Sequence, residues 1–218
     1  MVTCLNKDTD IEYTKLVKYI NWCHNCELAS KTTGFKRDIG DGPLPCDLLF
    51  VAEAFGHQEK DIGLPLVGES GLLFRKVLSD NDIGTEDHNI LCHLCNTISC
   101  YVPPPEGSRA LNGTPTVNHI NACKTILWSK ISLCKPRFIF TLGAISTKNL
   151  LSINDDNFKI SSYIGKWYEK EWKISGEVHK IQIVPMFHPS YVLRKGGFNN
   201  KELIGLYHII LQDVKRHL

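Results

Sequence analysis

The chain has 218 residues, 43% of them hydrophobic and 22% charged, with a formal net charge of +2. That length fits one α/β domain spanning 1–218 and buries a core without disulfide staples. It contains no uninterrupted apolar run of about 18 residues, which excludes a membrane helix, and the polar stretch 1–10 lacks a signal-peptide core. An intracellular monomer is expected.

Taken in chain order, residues 11–21 place Ile11, Leu16, Val17 and Ile20 on one helical face. They run into Cys23-His24-Asn25-Cys26. A loop through Gly34, Gly40, Gly42, Pro43 and Pro45 follows. Residues 47–54 (DLLFVAEA) read as a buried strand ending before Gly56. Residues 71–78 read as a helix capped by Ser70, and 89–99 as a second strand. The stretch 101–116 is a Pro-rich insertion with Gly107 and Gly113, which predicts a loop. A helix is expected over 116–133, a third buried strand over 137–142 (RFIFTL), and a helix from Gly143 to Leu151. Residues 155–176 are aromatic and polar, as in a hairpin or an excursion. The fourth strand is 180–187 (KIQIVPMF), where Pro185 points to an irregular or edge position. Residues 199–217 form an amphipathic helix.

This alternation predicts a three-layer αβα fold around a central four-stranded parallel sheet. Ligands of such sheets sit beyond the carboxyl ends of the strands. Three polar clusters fall there: Glu53 to Glu59, Asn96, and His188 to Arg194.

Nine cysteines are unusual for a chain of this size and point to metal binding or catalysis. Two CxxC pairs are present, Cys23/Cys26 and Cys92/Cys95. The second lies within a predicted strand, where positions three apart face opposite ways, so Cys92 and Cys95 are expected to be core residues. Better partners for Cys23 and Cys26 are Cys100 and Cys123. Four thiolates suit zinc or an iron–sulfur cluster, and spacing does not separate the two. Cys4, Cys46 and Cys134 are not expected to be ligands, although Cys46 lies in a flexible stretch. Lys166, Arg109, Arg194 and Lys195 are candidates for a basic face; a solvated mixed surface accounts for them equally well.

Several segments, in order, resemble one family. Val51-Ala-Glu53-Ala54-Phe55-Gly56-His57-Gln-Glu59, followed by Gly63-Leu-Pro-Leu66-Val-Gly68-Glu-Ser-Gly71, is similar to the first motif of the family-four, iron–sulfur uracil-DNA glycosylases, G-E-A-P-G and then R-P-F-V-G-x-A/S-G. Asn96 before Cys100 resembles its T-N-x-x-K-C segment, Phe140-Thr-Leu-Gly143-Ala its A-L-G-A, Gly165-Lys166-Trp167 its R-G-K/R-W/F turn, and His188-Pro-Ser-Tyr-Val-Leu-Arg194 its H-P-S-Y-L-L-R. The similarity covers residues 20 to 217.

The resemblance implies a 4Fe-4S cluster on Cys23, Cys26, Cys100 and Cys123, held by an N-terminal segment 20–46; 22 residues separate the last two ligands, more than is usual. It implies DNA as partner, with a pyrimidine flipped from the stack. His188 would stabilise the leaving base by donating to its carbonyl oxygen. Of the two carboxylates, Glu59 is favoured for the attacking water and Glu53 for shaping the pocket; the aspartate of better-known relatives is Ala54 here. Asn96 would read the pairing edge. Tyr191, Val192 and Leu193 would wedge into the duplex, and Ser190, Arg194 and Lys166 would contact DNA. The aromatic ring of R-P-F is Leu66, Phe55 stands where the motif has proline, and His57 is an added polar group. These departures cluster where the base binds. The expected function is therefore hydrolysis of the N-glycosidic bond of uracil or a modified pyrimidine, leaving an abasic site. The alternatives are a same-fold glycosylase for a bulky modified base in defence against phage, a non-catalytic iron–sulfur DNA-binding module, and an unrelated zinc protein.

Overall fold

The computed structural model describes residues 7–174 and 176–218. Cys4 and most of the stretch 1–10 lie outside the described residues. The elements are α1 (Lys7–Asn21), α2 (Leu28–Lys31), β1 (Leu48–Ala52), α3 (Glu59–Ile62), α4 (Glu69–Asp80), β2 (Ile83–Gly84), β3 (Ile90–Asn96), α5 (Val117–Cys134), β4 (Phe138–Leu142), α6 (Ala144–Leu151), β5 (Tyr168–Ile174), β6 (Glu177–Met186), α7 (Pro189–Arg194) and α8 (Lys201–Lys215). Among the described residues no helix is long and apolar enough to cross a membrane.

The sheet has six strands rather than the expected four, in the order β2-β3-β1-β4-β6-β5. The four central strands and the short β2 are parallel; β5 runs antiparallel to β6. Both additions have a physical reason for escaping the sequence pattern. β2 is two residues long and has no period. β5 (YEKEWKI) alternates between half-buried and exposed side chains, so its apolar content is that of an edge strand with one wet face. Residues 155–176 thus supply one arm of a hairpin.

Pro185 does not mark an edge strand, since β6 lies between β4 and β5. Its ladder with β5 starts at Tyr168↔Ile183 and runs away from Pro185. The Pro185 carbonyl accepts from Gly165 N–H at 2.9 Å. In an extended strand a residue's nitrogen and carbonyl face the same side, so the missing N–H points where β5 has already left.

Each face of the sheet buries its own cluster. Leu48, Phe50, Leu94, Phe140 and Met186 pack with α4, α7 and α8. Leu49, Val51, Cys95, Ile139 and Ile183 pack with α1, α5 and α6. Three αβα layers result, as expected. Cys92 joins the first cluster and Cys95 the second, which is the opposition the strand period requires. Cys46 and Cys134 lie at the amino-terminal edge. The Cys46 thiol donates to Leu91 O at 3.0 Å and that of Cys134 to Cys46 O at 3.2 Å. Burial pushes the Cys46 thiol up to about 11 and that of Cys95 to about 12.

α4 begins two residues before the expected start. Gly68, not Ser70, is its N-cap, and no side chain caps it. The Gly68 N–H instead donates to Glu59 Oε1 at 2.8 Å. Gly71 then packs on the backbone of Leu66, where a Cβ would lie 2.2 Å from the Leu66 carbonyl carbon. α5 starts at Val117, one residue after the expected start, and is capped by Thr116, whose hydroxyl accepts from His119 N–H in a capping box.

Candidate active site

The carboxyl ends of the four central strands carry, side by side, Asn96 (β3), Ala52–Glu53 (β1), Leu142–Gly143 (β4) and Met186–His188 (β6). Asn96 and Met186, which ends β6 two residues before His188, stand three strand spacings apart, about 14 Å between backbones, with the end of β1 that leads to Glu53 between them.

His188 is the N-cap of α7, and Pro189 fills its first position. Nδ1 accepts from Ser190 N–H at 3.2 Å and lies 2.9 Å from Ser190 Oγ. A backbone N–H only donates, so Nδ1 is unprotonated and the neutral ring carries its hydrogen on Nε2. Burial, followed by the positive charge of Arg194, pushes the pKa down to about 4. The imidazole is neutral at neutral pH, and its Nε2–H has no acceptor among the described residues. Gly143, at φ 94, backs the ring: a Cβ there would stand 3.0 Å from that of His188.

The loop after β1 is fastened by Thr97 N–H and Oγ to Ala52 O, both 2.9 Å, and by Ile98 N–H to Glu53 O at 2.9 Å. Glu53 is partly buried, and burial raises its carboxyl above the ordinary 4.5. No hydrogen bond to this carboxyl is found among the described residues. Glu59 is differently placed. It is buried at the start of α3 and committed to Gly68, and a Cβ on Gly56 would lie 2.4 Å from its Oε2. Phe55 is buried and bridges to Tyr101, the first residue of the Pro-rich insertion. His57 is exposed and edge-on to the same tyrosine. Ala54 packs toward Cys100 and Cys123. Leu66 is buried with φ 55, a left-handed conformation that disfavours a leucine. Arg75 holds it there through Leu66 O and Pro65 O, both 2.8 Å, while pairing with Asp41 at 2.5 Å. Sequence reasoning missed Arg75, because a helix-surface arginine carries no pattern.

Asn96 is buried, on the face shared by Cys92, Leu94 and Leu66. Its Nδ2 has no partner among the described residues. An orphaned buried amide of this kind calls for an explanation.

The expected wedge is only partly available. Val192 is fully buried in the core because α7 turns that position inward, so it cannot enter a duplex. Tyr191 stacks on Phe187 at 4.9 Å. Leu193 faces a groove with Leu72 and Phe198, both exposed and both unmarked in sequence. Ser190 is engaged by His188. Arg194, Lys195, Lys166 and Arg109 are exposed, and the Lys166 turn is tied to the end of β6 through Gly165.

Cys23, Cys26, Cys100 and Cys123 line one cavity with Arg37, Ser99 and Ile126. Arg37 closes the corner by donating to Ile20 O at 3.0 Å and Cys23 O at 2.8 Å. Burial raises the Cys100 thiol and pushes that of Cys123 to about 11, with neighbouring thiols adding to both. Among the described residues, no three His, Cys, Asp or Glu side chains close on a single ion.

Comparison with known proteins matches residues 39–208 to the family described as Uracil DNA glycosylase superfamily. The chain is 31% identical over 194 residues to a Type-4 uracil-DNA glycosylase of Thermotoga maritima, covering 89% of this chain and 86% of that protein. It is 29% identical over 188 residues to one of Pyrobaculum aerophilum (85% and 86%), and 28% over 180 residues to one of Archaeoglobus fulgidus (82% and 81%).

Proposed function

The chain belongs to the uracil DNA glycosylase superfamily, and from that premise we propose that it excises uracil from DNA with His188, Glu53 and Asn96 at the carboxyl edge of the sheet. The observation that carries the assignment is the Ser190 N–H on His188 Nδ1. It leaves a neutral imidazole with an Nε2–H donor, the group needed opposite a base that departs as an anion.

The pyrimidine is flipped from the stack into the span between Asn96 and His188. As the bond from the sugar C1′ to the base nitrogen breaks, its electron pair passes to the base and spreads onto the carbonyl oxygen. Nε2–H of His188 donates to that oxygen and stabilises it in a water-poor site. Water adds to the cation-like C1′, and a carboxylate accepts its proton. The geometry favours Glu53 for this step, because Glu59 is held by Gly68. This exchanges the roles that the family resemblance suggested. The Asn96 amide, with its unpartnered Nδ2, reads the pairing edge. The half-buried Leu193 and the exposed Phe198 supply the apolar surface for the gap left in the duplex, and the exposed Arg194 and Lys166 contact phosphates.

The four-thiol cavity fits a 4Fe-4S cluster. Cys23, Cys26, Cys100 and Cys123 surround one space, and a cationic centre would hold Cys100 and Cys123 as thiolates, which burial otherwise keeps protonated. When bound, the cluster would cross-link the end of α1, the end of β3 and α5. A brown protein with broad visible absorption, lost in Cys100→Ser, is expected; a colourless protein carrying zinc would overturn this reading.

Leu66 supports a second reading, a bulkier pyrimidine such as occurs in modified phage DNA, since leucine leaves more room than the aromatic ring of the family motif. Duplexes each carrying one altered base, with mass identification of the released base, decide between them. Release of uracil alone supports the first reading, release of a larger base the second, and release of none leaves a DNA-binding module.

A further inference from the structure

Asp38 and Lys130 form an ion pair with no part in the chemistry above. Lys130 Nζ lies 2.7 Å from Asp38 Oδ2, 2.7 Å from the Asp38 carbonyl and 3.2 Å from Ser99 Oγ. Both side chains are shut off from solvent, at 1% and 0% exposure. Such pairs add little net stability, because desolvation offsets the attraction, and their best-attested use is to fix a geometry. The carboxylate is fully engaged. Oδ1 accepts from Gly40 N–H at 2.9 Å, and Oδ2 accepts from Asn96 N–H at 2.6 Å as well as from Lys130.

The place of that last bond is informative. β2 pairs with β3 only at Ile90 and Leu91. Farther along, the outer side of β3 has no strand beside it among the described residues. Asp41 fills in at Leu94 with two backbone bonds of 2.9 and 2.7 Å. At Asn96 the acceptor is no longer backbone but the Asp38 carboxylate. The one β3 residue that ends in an orphaned buried amide is therefore held at its nitrogen by a charge.

We infer that the Asp38–Lys130 pair is a positioning device for Asn96: it locks the backbone of the base-reading residue so that its amide meets the flipped base without searching. This rests on the function proposed above. Lys130 lies on α5 with Cys123, and its third partner, Ser99, adjoins Cys100, so the thiol corner and the base-reading residue share one anchor.

The test is a double-mutant cycle on a uracil-containing duplex, with hydrogen exchange on the same proteins. In Asp38→Asn one amide oxygen cannot serve Gly40, Asn96 and Lys130 together. Its base-release rate at saturating DNA is expected to fall about 10- to 100-fold, the worth of a hydrogen bond to a charged group, with KM within about twofold. In an Asn96→Ala background the same change should add nothing. Equal losses in both backgrounds would overturn the inference. Exchange at Asn96 N–H should accelerate at least tenfold in Asp38→Asn while Leu94 N–H is unaffected; unchanged exchange also overturns it, and this readout holds even if no duplex yields a base, which would instead sink the proposed function. Should Asp38→Asn fail to fold, Asp38→Ala/Lys130→Met removes both charges and enters the same cycle and the same exchange measurement.

Discussion

The loops after β6 and after β1 leave the same edge of one sheet, yet they hold their ionisable groups in opposite ways. In the first, Ser190 fixes one nitrogen of His188 and burial drives its pKa down to about 4. In the second, the Glu53 carboxyl has no hydrogen bond among the described residues, and burial drives its pKa up. Desolvation penalises whichever form is charged, so one environment makes a histidine less basic and a carboxylate more basic. A donor aimed at a developing oxyanion works best when it is locked beforehand. A base that must first hold a water works best with a carboxylate left open. The rigid and the open loop suit those two roles.

Removing the locked donor should have the largest effect. His188→Ala is expected to lower the base-release rate about 10²- to 10³-fold, as loss of an oxyanion donor does elsewhere, with affinity for an abasic duplex unchanged. Single-turnover kinetics and a binding titration check both halves. A loss of only a few-fold would remove His188 from the chemistry. Next comes Glu53→Gln, with an expected loss of about 10²-fold. Its pH profile carries the sharper information. Glu53 accepts a proton only when ionised, so the rate should fall as pH drops through its raised pKa, above 4.5. His188 stays neutral down to about 4 and contributes no limb in that interval. The acid limb of the parent enzyme should therefore vanish in Glu53→Gln down to about pH 4. A limb that survives belongs to another group.

Much of this was legible in the sequence, for reasons that differ by region. The buried strands are continuous apolar runs, which fixed their number at four and set Cys92 and Cys95 on opposite faces by the strand period alone. β5 escaped because an edge strand alternates, and β2 because two residues have no pattern. The cysteine sets are instructive, since both contain a CxxC spacing. Cys23 and Cys26 lie in a loop and share one cavity with Cys100 and Cys123; Cys92 and Cys95 lie in a strand and do not meet. Local structure, not spacing, separates them. His188, Glu53 and Asn96 were marked by motif and by their position at strand ends. Asp38, Lys130 and Arg75 were not, because a buried ion pair or a backbone clamp exists only once distant segments have met. Val192 was misplaced because a six-residue helix turns inward within one turn.

A finer cut at the rigid loop is Ser190→Ala. It removes the hydroxyl 2.9 Å from Nδ1 but keeps the backbone N–H that sets the tautomer. The expected loss is about tenfold or less, the worth of one neutral hydrogen bond, read as kcat with KM unchanged. A loss as large as that of His188→Ala would mean that the hydroxyl, not the backbone, orients the ring.

The smallest effect on rate should come from the second carboxylate of the open loop. Glu59 Oε1 accepts from Gly68 N–H at the start of α4, and its side chain is wedged between Gly56 and Gly68, where a Cβ on either would meet it at 2.4 and 3.0 Å. It thereby closes the loop that carries Leu66 at its positive φ. Glu59→Ala leaves that amide without its charged acceptor, which should reduce stability by about 1–3 kcal/mol and lower the Tm by several degrees. Base release per folded molecule should stay within about threefold, because the buried side chain is committed through Oε1 to the backbone rather than left open for a water. A loss of rate rivalling that of Glu53→Gln, with the melting temperature unchanged, would reverse the two acids and make the clamped carboxylate the base.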